Sequence, residues 1–328
     1  HNVTCVDIDE NKVTMMKEGI SPIYEPGLDE LLKKNHDEGR LNFTTDYKNA
    51  YKNAEIVFIG VGTPEREDGS ANLDYVFTVC KEIAENIEND CLVVVKSTVP
   101  IGTNDRVEAY LRENVINNVN IEVASNPEFL SQGTAVVDTL HASRIVIGVE
   151  SKNAEEKLRC VYEAFKQPIV VTNRRSAEMI KYASNDFLAL KISFINEMAN
   201  VCEIVGANIE DVAKGMSYDK RIGDKFLKAG LGYGGSCFPK DTKALHWLAN
   251  DSGYEIKTIK ATIEVNENQK YKMFRKAKKR FGTLKGMKVA VLGLTFKPET
   301  DDLREAPSIP NINRLLEEGA KIVAYDPI

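Results

Sequence analysis

The chain has 328 residues, of which 43% are hydrophobic and 28% are charged, the proportions of an ordinary globular protein with two or three domains. The net charge of −6 argues against a general nucleic-acid-binding protein and against a protein that binds anionic membranes. No apolar run approaches the roughly 18 residues of a membrane span, and no signal peptide is visible in the sequence.

The cysteines are scattered along the chain without a C-x-x-C pair, at positions 5, 80, 91, 160, 202 and 237. This spacing predicts neither a metal site nor a disulfide scaffold, and it fits a reducing cytoplasm best. Most of these cysteines lie in apolar segments that are typical of a protein core, whereas Cys237 lies in a glycine-rich turn.

Residues 1–172 alternate apolar strands with polar helices, a pattern that predicts an α/β domain with a mostly parallel sheet. The predicted strands are 2–7, 55–61, 91–96, 120–124, 144–149 and 168–172. The predicted helices lie near 10–18, 26–39, 73–89, 103–115 and 152–166. The run Leu92–Val95 is apolar throughout, as expected for a strand that is buried on both faces.

Residues 173–284 are predicted to be helical. Between Ser176 and Val205 apolar residues occur on nearly all sides of one long helix, which predicts burial in the middle of the molecule or against another subunit. Further helices are predicted near 208–216, 240–252 and 256–280. The lysines and arginines between Lys270 and Arg280 form a basic face, which we interpret as a solvated helix end in preference to a binding patch.

Residues 285–328 return to a strand–helix–strand pattern, with strands at 287–293 and 321–325 and a helix at 307–319 that Gly319 closes. This pattern predicts the beginning of a second α/β domain of the nucleotide-binding type. The chain begins in a strand without an initiating Met and ends in another strand, so we expect it to be a fragment.

Loops with small, hydroxyl-bearing or acidic residues follow three predicted strands of the first domain, at Gly60–Pro64, Lys96–Pro100 and Ser125–Leu130. Open α/β sheets bind ligands at the carboxyl ends of their strands, so these loops favour a cofactor cleft over three ordinary loops. Asp7 ends the first predicted strand of this sequence. An acidic residue at the end of the second strand of a dinucleotide-binding fold binds the adenosine ribose of NAD, and Asp7 could be that residue. The alternative is a solvated Asp at a strand end, and no G-x-G-x-x-G loop precedes Asp7.

The most distinctive stretch is Leu231–Asp241, in which three glycines precede Cys237 and a lysine and an aspartate follow it. Glycine permits close approach of the backbone and positive φ. A nearby lysine favours the thiolate, the nucleophilic form of cysteine. On these residues alone, a nucleophile and a small packed thiol are equal alternatives. Lys181 and Asn185 lie four residues apart on the predicted long helix and therefore share one of its faces.

Eight motifs carry a resemblance to a known family. They are VDID at 6–9, GTP at 62–64, KSTVP at 96–100, SNPEFL at 125–130, K-x-x-x-N at 181–185, RIG at 221–223, GYGGSCFPKD at 232–241 and GLTFKPETDDLRE at 293–305. With them the whole chain resembles the NAD-dependent nucleotide-sugar dehydrogenases of the UDP-glucose/GDP-mannose dehydrogenase family. The resemblance implies a Rossmann-like NAD-binding domain over 1–172, a central helical dimerisation and catalytic domain over 173–284, and the start of a Rossmann-like UDP-sugar-binding domain over 285–328.

The resemblance also implies the reaction, a four-electron oxidation of UDP-glucose to UDP-glucuronate in two hydride transfers to NAD. Cys237 would hold the C6 aldehyde first as a thiohemiacetal and then as a thioester. The other catalytic residues that it implies are Lys181 and Asn185 at the oxyanion, Asp241 and Thr98 at a catalytic water, and Glu128 as general base.

The resemblance implies two sets of binding residues. Those for NAD are Asp7, Lys12, Thr63, Thr98, Gln132, Lys240 and Arg304. Those for the UDP-sugar are Phe129, Leu130, Ser131, Gln132, Lys181, Arg221, Phe226, Leu227, Lys228, Ala229, Gly230, Gly234, Phe296 and Lys297. The backbone at Gly232–Gly235 is expected to lie against the sugar, and Arg221 to reach a neighbouring subunit's site in a homodimer or higher oligomer. The expected partners are therefore a UDP-sugar and further copies of the chain, with no nucleic acid and no membrane.

Two departures from the family pattern matter. Gln132 stands where the family usually has Glu, which predicts a tuned cofactor contact because Glu128 is retained. The glycine-rich pyrophosphate loop and most of the UDP-binding domain are not in the sequence. We therefore expect a full-length enzyme to be active and residues 1–328 alone to be poorly active or inactive, which NADH formation by residues 1–328 with UDP-glucose would contradict.

Other functions remain open. A GDP-mannose 6-dehydrogenase or another nucleotide-sugar dehydrogenase would share the chemistry with a different base or sugar. A two-electron hydroxyacid dehydrogenase would need no nucleophilic cysteine. A cysteine hydrolase would need a histidine partner, for which His246 is the nearest in sequence to Cys237. An inactive fragment would bind ligand without turnover.

Overall fold

The computed structural model describes residues 1–327, which belong to two compact units. The first unit comprises His1–Arg66 and Ala71–Lys181, and the second comprises Glu67–Ser70 and Tyr182–Ile328. The domain boundaries at 172 and 284 stay predictions. Among the described residues, no helix combines the length and the apolar character that crossing a lipid bilayer requires.

The first unit contains the predicted alternation of strands and helices. Its strands are β1 Val3–Val6, β2 Leu41–Thr44, β3 Ile56–Ile59, β4 Cys91–Val95, β5 Ile121–Ser125, β6 Ile145–Gly148 and β7 Ile169–Thr172. Its helices are α1 Glu10–Lys17, α2 Leu28–Asp37, α3 Tyr47–Lys52, α4 Asp74–Asn86, α5 Thr103–Asn114, α6 Ala135–Leu140 and α7 Lys152–Tyr162, with a 3-10 turn at Glu163–Phe165. The predicted elements are confirmed to within a few residues, and β2, α3 and α6 are additional.

β3 to β7 form a five-stranded sheet in sequential order. All neighbouring pairs are parallel except β5 and β6, which meet antiparallel at Ser125 and Gly148. The mostly parallel sheet is therefore confirmed. β1 and β2 form a separate parallel pair. Because β3, β4 and β5 run in the same direction, the three loops singled out in the sequence lie at one edge of the sheet.

The core of the first unit has two layers that meet at β4. Val93 and Val95 pack into a cluster with residues of α4 and α5, whereas Leu92 and Val94 pack into a second cluster with residues of β6 and α7. All five residues of β4 are buried, as the apolar run predicted. Each fully buried side chain of this size contributes about 1.5–3 kcal/mol, so the sheet is a rigid support for the loops at its edge.

The second unit is mainly helical. Its elements are α8 Arg174–Val205, which begins in the first unit, α9 Ile209–Ser217, α10 Phe238–Asp251, α11 Lys257–Lys270, α12 Lys272–Phe281, β8 Lys288–Leu292, α13 Ser308–Glu317 and β9 Lys321–Tyr325. The single helix predicted at 256–280 is wrong, because the structure has two helices that part at Tyr271. The side-chain amide of Asn311 donates to the carbonyl of Lys270, which diverts that carbonyl from the helical hydrogen-bond ladder.

The long helix α8 is not buried on all sides in a single chain. Phe187, Phe194 and Val201 are 61%, 43% and 49% exposed, and their spacing of seven residues places them along one stripe of the helix. The opposite side is polar and buried. Glu178, for example, accepts the backbone amides of Gly102 at 2.6 Å and Asn104 at 2.8 Å, and so caps α5.

None of the six cysteines forms a disulfide bond within the part of the chain that the structure describes. Cys80, Cys91 and Cys202 are buried, as the apolar segments around them predicted. Cys160 on α7 and Cys237 are exposed. Two thiols are thus accessible to a reagent, and only Cys237 lies among the predicted site residues.

Candidate active site

Cys237 lies at the start of a helix. It is the N-cap residue of α10, which begins at Phe238 and has Pro239 in its first turn, so the helix predicted near 240–252 is confirmed. The thiol is exposed, and its sulfur lies 3.8 Å from the hydroxyl of Ser236. Unpaired amides and the dipole at a helix N-terminus stabilise an anion. The position therefore favours the thiolate, which is the reactive form of the group.

The glycines before Cys237 are required by contacts within the protein. A Cβ on Gly234 would lie 2.4 Å from the carbonyl oxygen of Glu305, and one on Gly232 would lie 2.5 Å from Oδ1 of Asn266. The amide of Gly235 donates to the carbonyl of Arg304 at 2.8 Å. The loop before α13 and a side chain of α11 thus occupy the space that side chains would fill. The expectation that this stretch of backbone lies against a sugar stays a prediction.

Asp241 is a buried carboxylate with both oxygens paired. It is 1% exposed and lies in the first turn of α10, four residues after Cys237. Nζ of Lys240 donates to Oδ1 at 2.6 Å, and Nδ2 of Asn185 donates to Oδ2 at 2.7 Å. Three predicted site residues therefore meet, and they hold a charged carboxylate in one orientation close to the cysteine turn.

Asp186 is a second buried carboxyl, which the sequence analysis did not anticipate. It is 2% exposed, and neither oxygen has a hydrogen-bond partner among the described residues. Burial, helped by the charge of Asp241, raises the pKa of Asp186 to about 8, although Lys240 acts in the opposite direction. The signal in the sequence was an acidic residue in an apolar helix, one position after Asn185.

The loop before α13 brings further predicted residues to the cysteine turn. Arg304 binds Asp302 through two nitrogens, at 2.9 and 2.7 Å. The hydrogen bonds that Arg304 donates to Asp302 raise the pKa of Arg304, and the charge of Cys237 acts in the same direction. A Cβ on Gly235 would lie 2.8 Å from the ring of Phe296. Arg304 and Phe296 thus belong to the same neighbourhood as the thiol.

The predicted residues of 221–230 are less uniform. Phe226 packs edge-on against Phe238 with ring centroids 6.1 Å apart, beside the cysteine. Arg221 instead pairs with Asp219 at 2.6 Å, and its side chain is 89% exposed. Within residues 1–327 its side-chain hydrogen bonds go to Asp219, and the structure brings it to no other predicted site residue. Of the other predicted binding residues, Leu227 is buried, Gln132, Ala229 and Lys297 are half-buried, and Lys12, Leu130, Ser131, Lys228 and Gly230 are exposed.

Lys181 and Glu128 form a buried ion pair in the first unit. Lys181 is 2% exposed, and its Nζ donates to Oε1 of Glu128 at 2.9 Å. The ammonium also lies 5.4 Å from the ring centroid of Phe129, whose other contact is the guanidinium of Arg144 at 4.1 Å. A desolvated ammonium of this kind interacts strongly with any negative charge that develops beside it. Three predicted residues are thus brought together here.

Lys96 is a half-buried lysine of the same unit that was not among the predicted site residues. Its Nζ donates to Oδ1 of Asn126 at 3.2 Å and lies 3.5 Å from the hydroxyl of Tyr162. Burial lowers the pKa of Lys96, and the charge of Lys181 lowers it further, against the effect of Glu128. Its position directly after the apolar strand β4 was the signal in the sequence.

The edge of the sheet has the features of a nucleotide site. Thr63 is 6% exposed and donates its hydroxyl to the carbonyl of Thr98 at 2.7 Å, which joins two of the predicted loops. No atom of residues 1–327 outside the immediate chain neighbours lies within 4 Å of the positions that Cβ atoms on Gly60 and Gly62 would take, so the carboxyl end of β3 borders open space. Asp7 directly follows β1. The residues present therefore fit a dinucleotide such as NAD.

Domain models of one family match nearly the whole chain. The NAD binding domain of the UDP-glucose/GDP-mannose dehydrogenase family matches residues 1–166, its central domain matches residues 175–268, and its UDP binding domain matches residues 290–328.

Individual proteins are similar over the full chain. The UDP-glucose 6-dehydrogenase YwqF of Bacillus subtilis (strain 168) is 54% identical over 328 residues, which cover 100% of this chain and 74% of the relative. A UDP-glucose 6-dehydrogenase of Rhizobium meliloti (strain 1021) is 50% identical, with 100% and 76% covered. The structure of a UDP-glucose dehydrogenase from the hyperthermophilic archaeon Pyrobaculum islandicum is similar with a TM-score of 0.97 and 42% identity, covering 100% of this chain and 77% of that chain.

Proposed function

The chain belongs to the UDP-glucose/GDP-mannose dehydrogenase family, and from that premise we propose that it oxidises C6 of UDP-glucose to the carboxylate of UDP-glucuronate. The observation that carries the proposal is the exposed Cys237 at the N-terminus of α10, beside the buried and fully paired Asp241. The names of the relatives support the substrate. NAD, when bound, accepts a hydride in each of the two oxidations.

Covalent bonding to Cys237 divides the oxidation of the aldehyde into separate chemical steps, each easier than the whole. Its thiolate adds to C6 of the aldehyde, so a C–S bond forms and the carbonyl oxygen becomes the oxygen of a thiohemiacetal. Loss of a hydride from C6 and of the proton on that oxygen gives a thioester. Water then adds to the thioester, the C–S bond breaks, and the carboxylate and the free thiol result. The covalent bond keeps the aldehyde from escaping between the two oxidations.

We assign supporting roles in these steps to charged and polar side chains. Lys181 stabilises the oxyanion that develops on the C6 oxygen, because its buried ammonium is not screened by water. Asn185 helps to hold that oxygen. Glu128 is the general base for thioester hydrolysis, and Asp241 and Thr98 hold the water that attacks. α8 carries both Lys181 and Asn185, one turn apart along the helix.

The remaining assignments concern binding. We assign NAD to Asp7, Lys12, Thr63, Thr98, Gln132, Lys240 and Arg304. We assign the UDP-sugar to Phe129, Leu130, Ser131, Gln132, Lys181, Arg221, Phe226, Leu227, Lys228, Ala229, Gly230, Gly234, Phe296 and Lys297. Gln132 keeps the length of the Glu usual in the family but has no charge, so it donates as well as accepts a hydrogen bond.

The protein acts as a homodimer or a higher homo-oligomer. The support is the exposed apolar stripe of Phe187, Phe194 and Val201 on α8, because apolar residues of this size in a row are typical of an interface. The exposed Arg221 then binds at the site of the neighbouring subunit. A cytoplasmic location is supported by cysteines that form no disulfide among the described residues and by the reducing conditions that the nucleophile needs.

The stoichiometry of NADH tests the function. A full-length protein that includes this sequence is expected to form two NADH for each UDP-glucuronate, and to prefer UDP-glucose over GDP-mannose and UDP-N-acetylmannosamine. The variant Cys237→Ala is expected to form no UDP-glucuronate, because no thioester can form. Cys160→Ala removes the other exposed thiol and is the matched control, with activity unchanged. One NADH per turnover, or full oxidation by Cys237→Ala, would contradict the proposal.

A further inference from the structure

Two buried carboxyls of the second unit lie in one electrostatic neighbourhood, and they differ in how they are paired. Asp241 is bonded by Lys240 at 2.6 Å and by Asn185 at 2.7 Å. Asp186 follows Asn185 on α8, is 2% exposed, and has no hydrogen-bond partner on either oxygen among the described residues. The two carboxyls influence each other through their charges, so they form a coupled pair.

Among the described residues, both carboxyls interact with the same cation, Lys240. Lys240 is the positive group that acts on Asp186, and it already pairs with Asp241. The phenol of Tyr233, in the turn before α10, also interacts with Asp186, and it repels a negative charge there when ionised. A second unpaired carboxylate in this place is costly, because a buried charge without a partner loses its hydration without compensation.

We propose that Asp186 is a positioning residue that holds a proton during catalysis and thereby leaves Lys240 and Asn185 to orient Asp241. The proposal rests on the proposed function of Asp241 at the water that cleaves the thioester. When Asp186 loses its proton, it competes with Asp241 for Lys240. The orientation of Asp241 then loosens, and hydrolysis of the thioester slows.

This role has a consequence that depends on pH. The pKa of Asp186 is raised to about 8, so the proton is mostly present at neutral pH. One pH unit above that value, roughly a tenth of the molecules retain it. An amide at this position has the shape of the protonated acid and cannot ionise, so it should keep Asp241 oriented at every pH.

The experiment compares kcat for UDP-glucuronate formation by the wild type and by Asp186→Asn from about pH 6.5 to 9.5. We expect the ratio of the variant's kcat to that of the wild type to be near one at neutral pH and to rise about tenfold by about pH 9. Asp251→Asn, an exposed position on the same helix as Asp241, is the control, and its ratio should stay flat. A flat ratio for Asp186→Asn, or a large loss of kcat at neutral pH in a folded variant, overturns the proposal. If Asp186→Asn does not fold, Asp186→Ala replaces it with the same expected ratio.

A second measurement does not depend on activity. The infrared difference spectrum of the wild type minus the variant should contain the carbonyl band of a protonated carboxylic acid at neutral pH, and that band should disappear as the pH rises past about 8. If the protein does not oxidise UDP-glucose, the proposed function fails while this band still appears. If the band is missing at neutral pH, the assignment of the proton to Asp186 fails.

Discussion

At the scale of single residues, the ion pair of Lys181 and Glu128 is expected to contribute both to stability and to catalysis, and variants of the two residues can separate these contributions. Lys181 is 2% exposed, so its charge is compensated almost entirely by Glu128, whose side chain is 27% exposed. Glu128→Ala should therefore lower the free energy of unfolding by about 3 kcal/mol, since an unpaired ammonium stays buried. Urea unfolding measures this loss. Glu113→Ala removes an exposed glutamate of α5 and should change stability by less than about 0.5 kcal/mol.

The same pair separates stability from catalysis. Lys181→Met removes the charge and keeps much of the volume. Its free energy of unfolding should fall less than that of Glu128→Ala, because the carboxylate left unpaired, Glu128, is 27% exposed and keeps part of its hydration. Its kcat should nevertheless fall about 10²–10³-fold, the usual effect of removing one group that stabilises an oxyanion. A variant with normal kcat and lowered stability would show that Lys181 is purely structural.

The role of a single residue could be predicted from the sequence where its partners are close to it along the chain. The i, i+4 spacing placed Lys181 and Asn185 on one face of a helix, and the structure has that helix. Asp186 was passed over because its meaning arises from its unpaired burial near Asp241, a contact between helices that are distant in sequence. The glycines before Cys237 were recognised as important, but their contact with the carbonyl of Glu305 could not be predicted, because Glu305 lies about seventy residues away in the chain.

At the scale of elements, the cysteine turn depends on the loop before α13. Gly234 has the carbonyl oxygen of Glu305 at 2.4 Å from the position of a Cβ, so Gly234→Ala must displace that loop. We expect a loss of about 1–3 kcal/mol in unfolding free energy, as for other overpacked sites, together with a large loss of kcat. Gly215→Ala is the matched control. It lies in α9 with no atom near its Cβ, and the higher helix propensity of Ala should make it neutral or stabilising.

That loop is fastened by Lys270, the last residue of α11. Lys270 is 4% exposed, and its ammonium pairs with Glu267 and Glu305, both at 2.8 Å. These hydrogen bonds act against burial, and the net result is a raised pKa of Lys270 and a lowered pKa of Glu305. At the break between α11 and α12, the carbonyl of Lys270 accepts a hydrogen bond from Asn311, and the ammonium of Lys270 binds Glu305 in the loop before α13. The break therefore positions the loop that contacts the cysteine turn. A period of apolar residues cannot reveal such a break, because both helices continue the same pattern.

The exposed stripe of α8 gives the proposed oligomer a direct test. Phe194→Asp places a charge in the middle of the stripe, where it would be buried without a partner in an assembled protein. We expect the variant to be a monomer by sedimentation velocity at micromolar concentration, and the wild type to be a dimer or larger. Ile116→Asp, at a residue that is 69% exposed in the first unit, is the control and should leave the assembly unchanged. A monomeric wild type would contradict the proposal.

At the scale of the whole molecule, the pH dependence of stability reflects the groups whose pKa changes on folding. Asp186 has a folded-state pKa of about 8, well above the value near 3.9 of an unfolded Asp, so the folded protein binds this proton more tightly. Its contribution to stability is therefore largest at low pH, is lost progressively as the pH rises from about 4 to about 8, and is constant above that. Groups whose pKa is lowered on folding, such as Glu305, have the opposite effect. Their contribution to stability is present above the pKa of the unfolded chain and is lost as the pH falls through the folded-state pKa.

A difference between two proteins isolates the contribution of Asp186 from all others. Asp186→Asn has no proton to lose, so the unfolding temperature of the variant minus that of the wild type should increase between about pH 5 and pH 8 and then stay constant. Groups such as Glu305 are present in both proteins and cancel in the difference. Asp251→Asn, which is exposed, should give a difference that does not vary with pH. Differential scanning calorimetry at several pH values measures both curves. A constant difference for Asp186→Asn would mean that the pKa of Asp186 is the same in the folded protein as in the unfolded chain. The charge of this buried carboxyl would then be stabilised in the folded protein as well as it is in water.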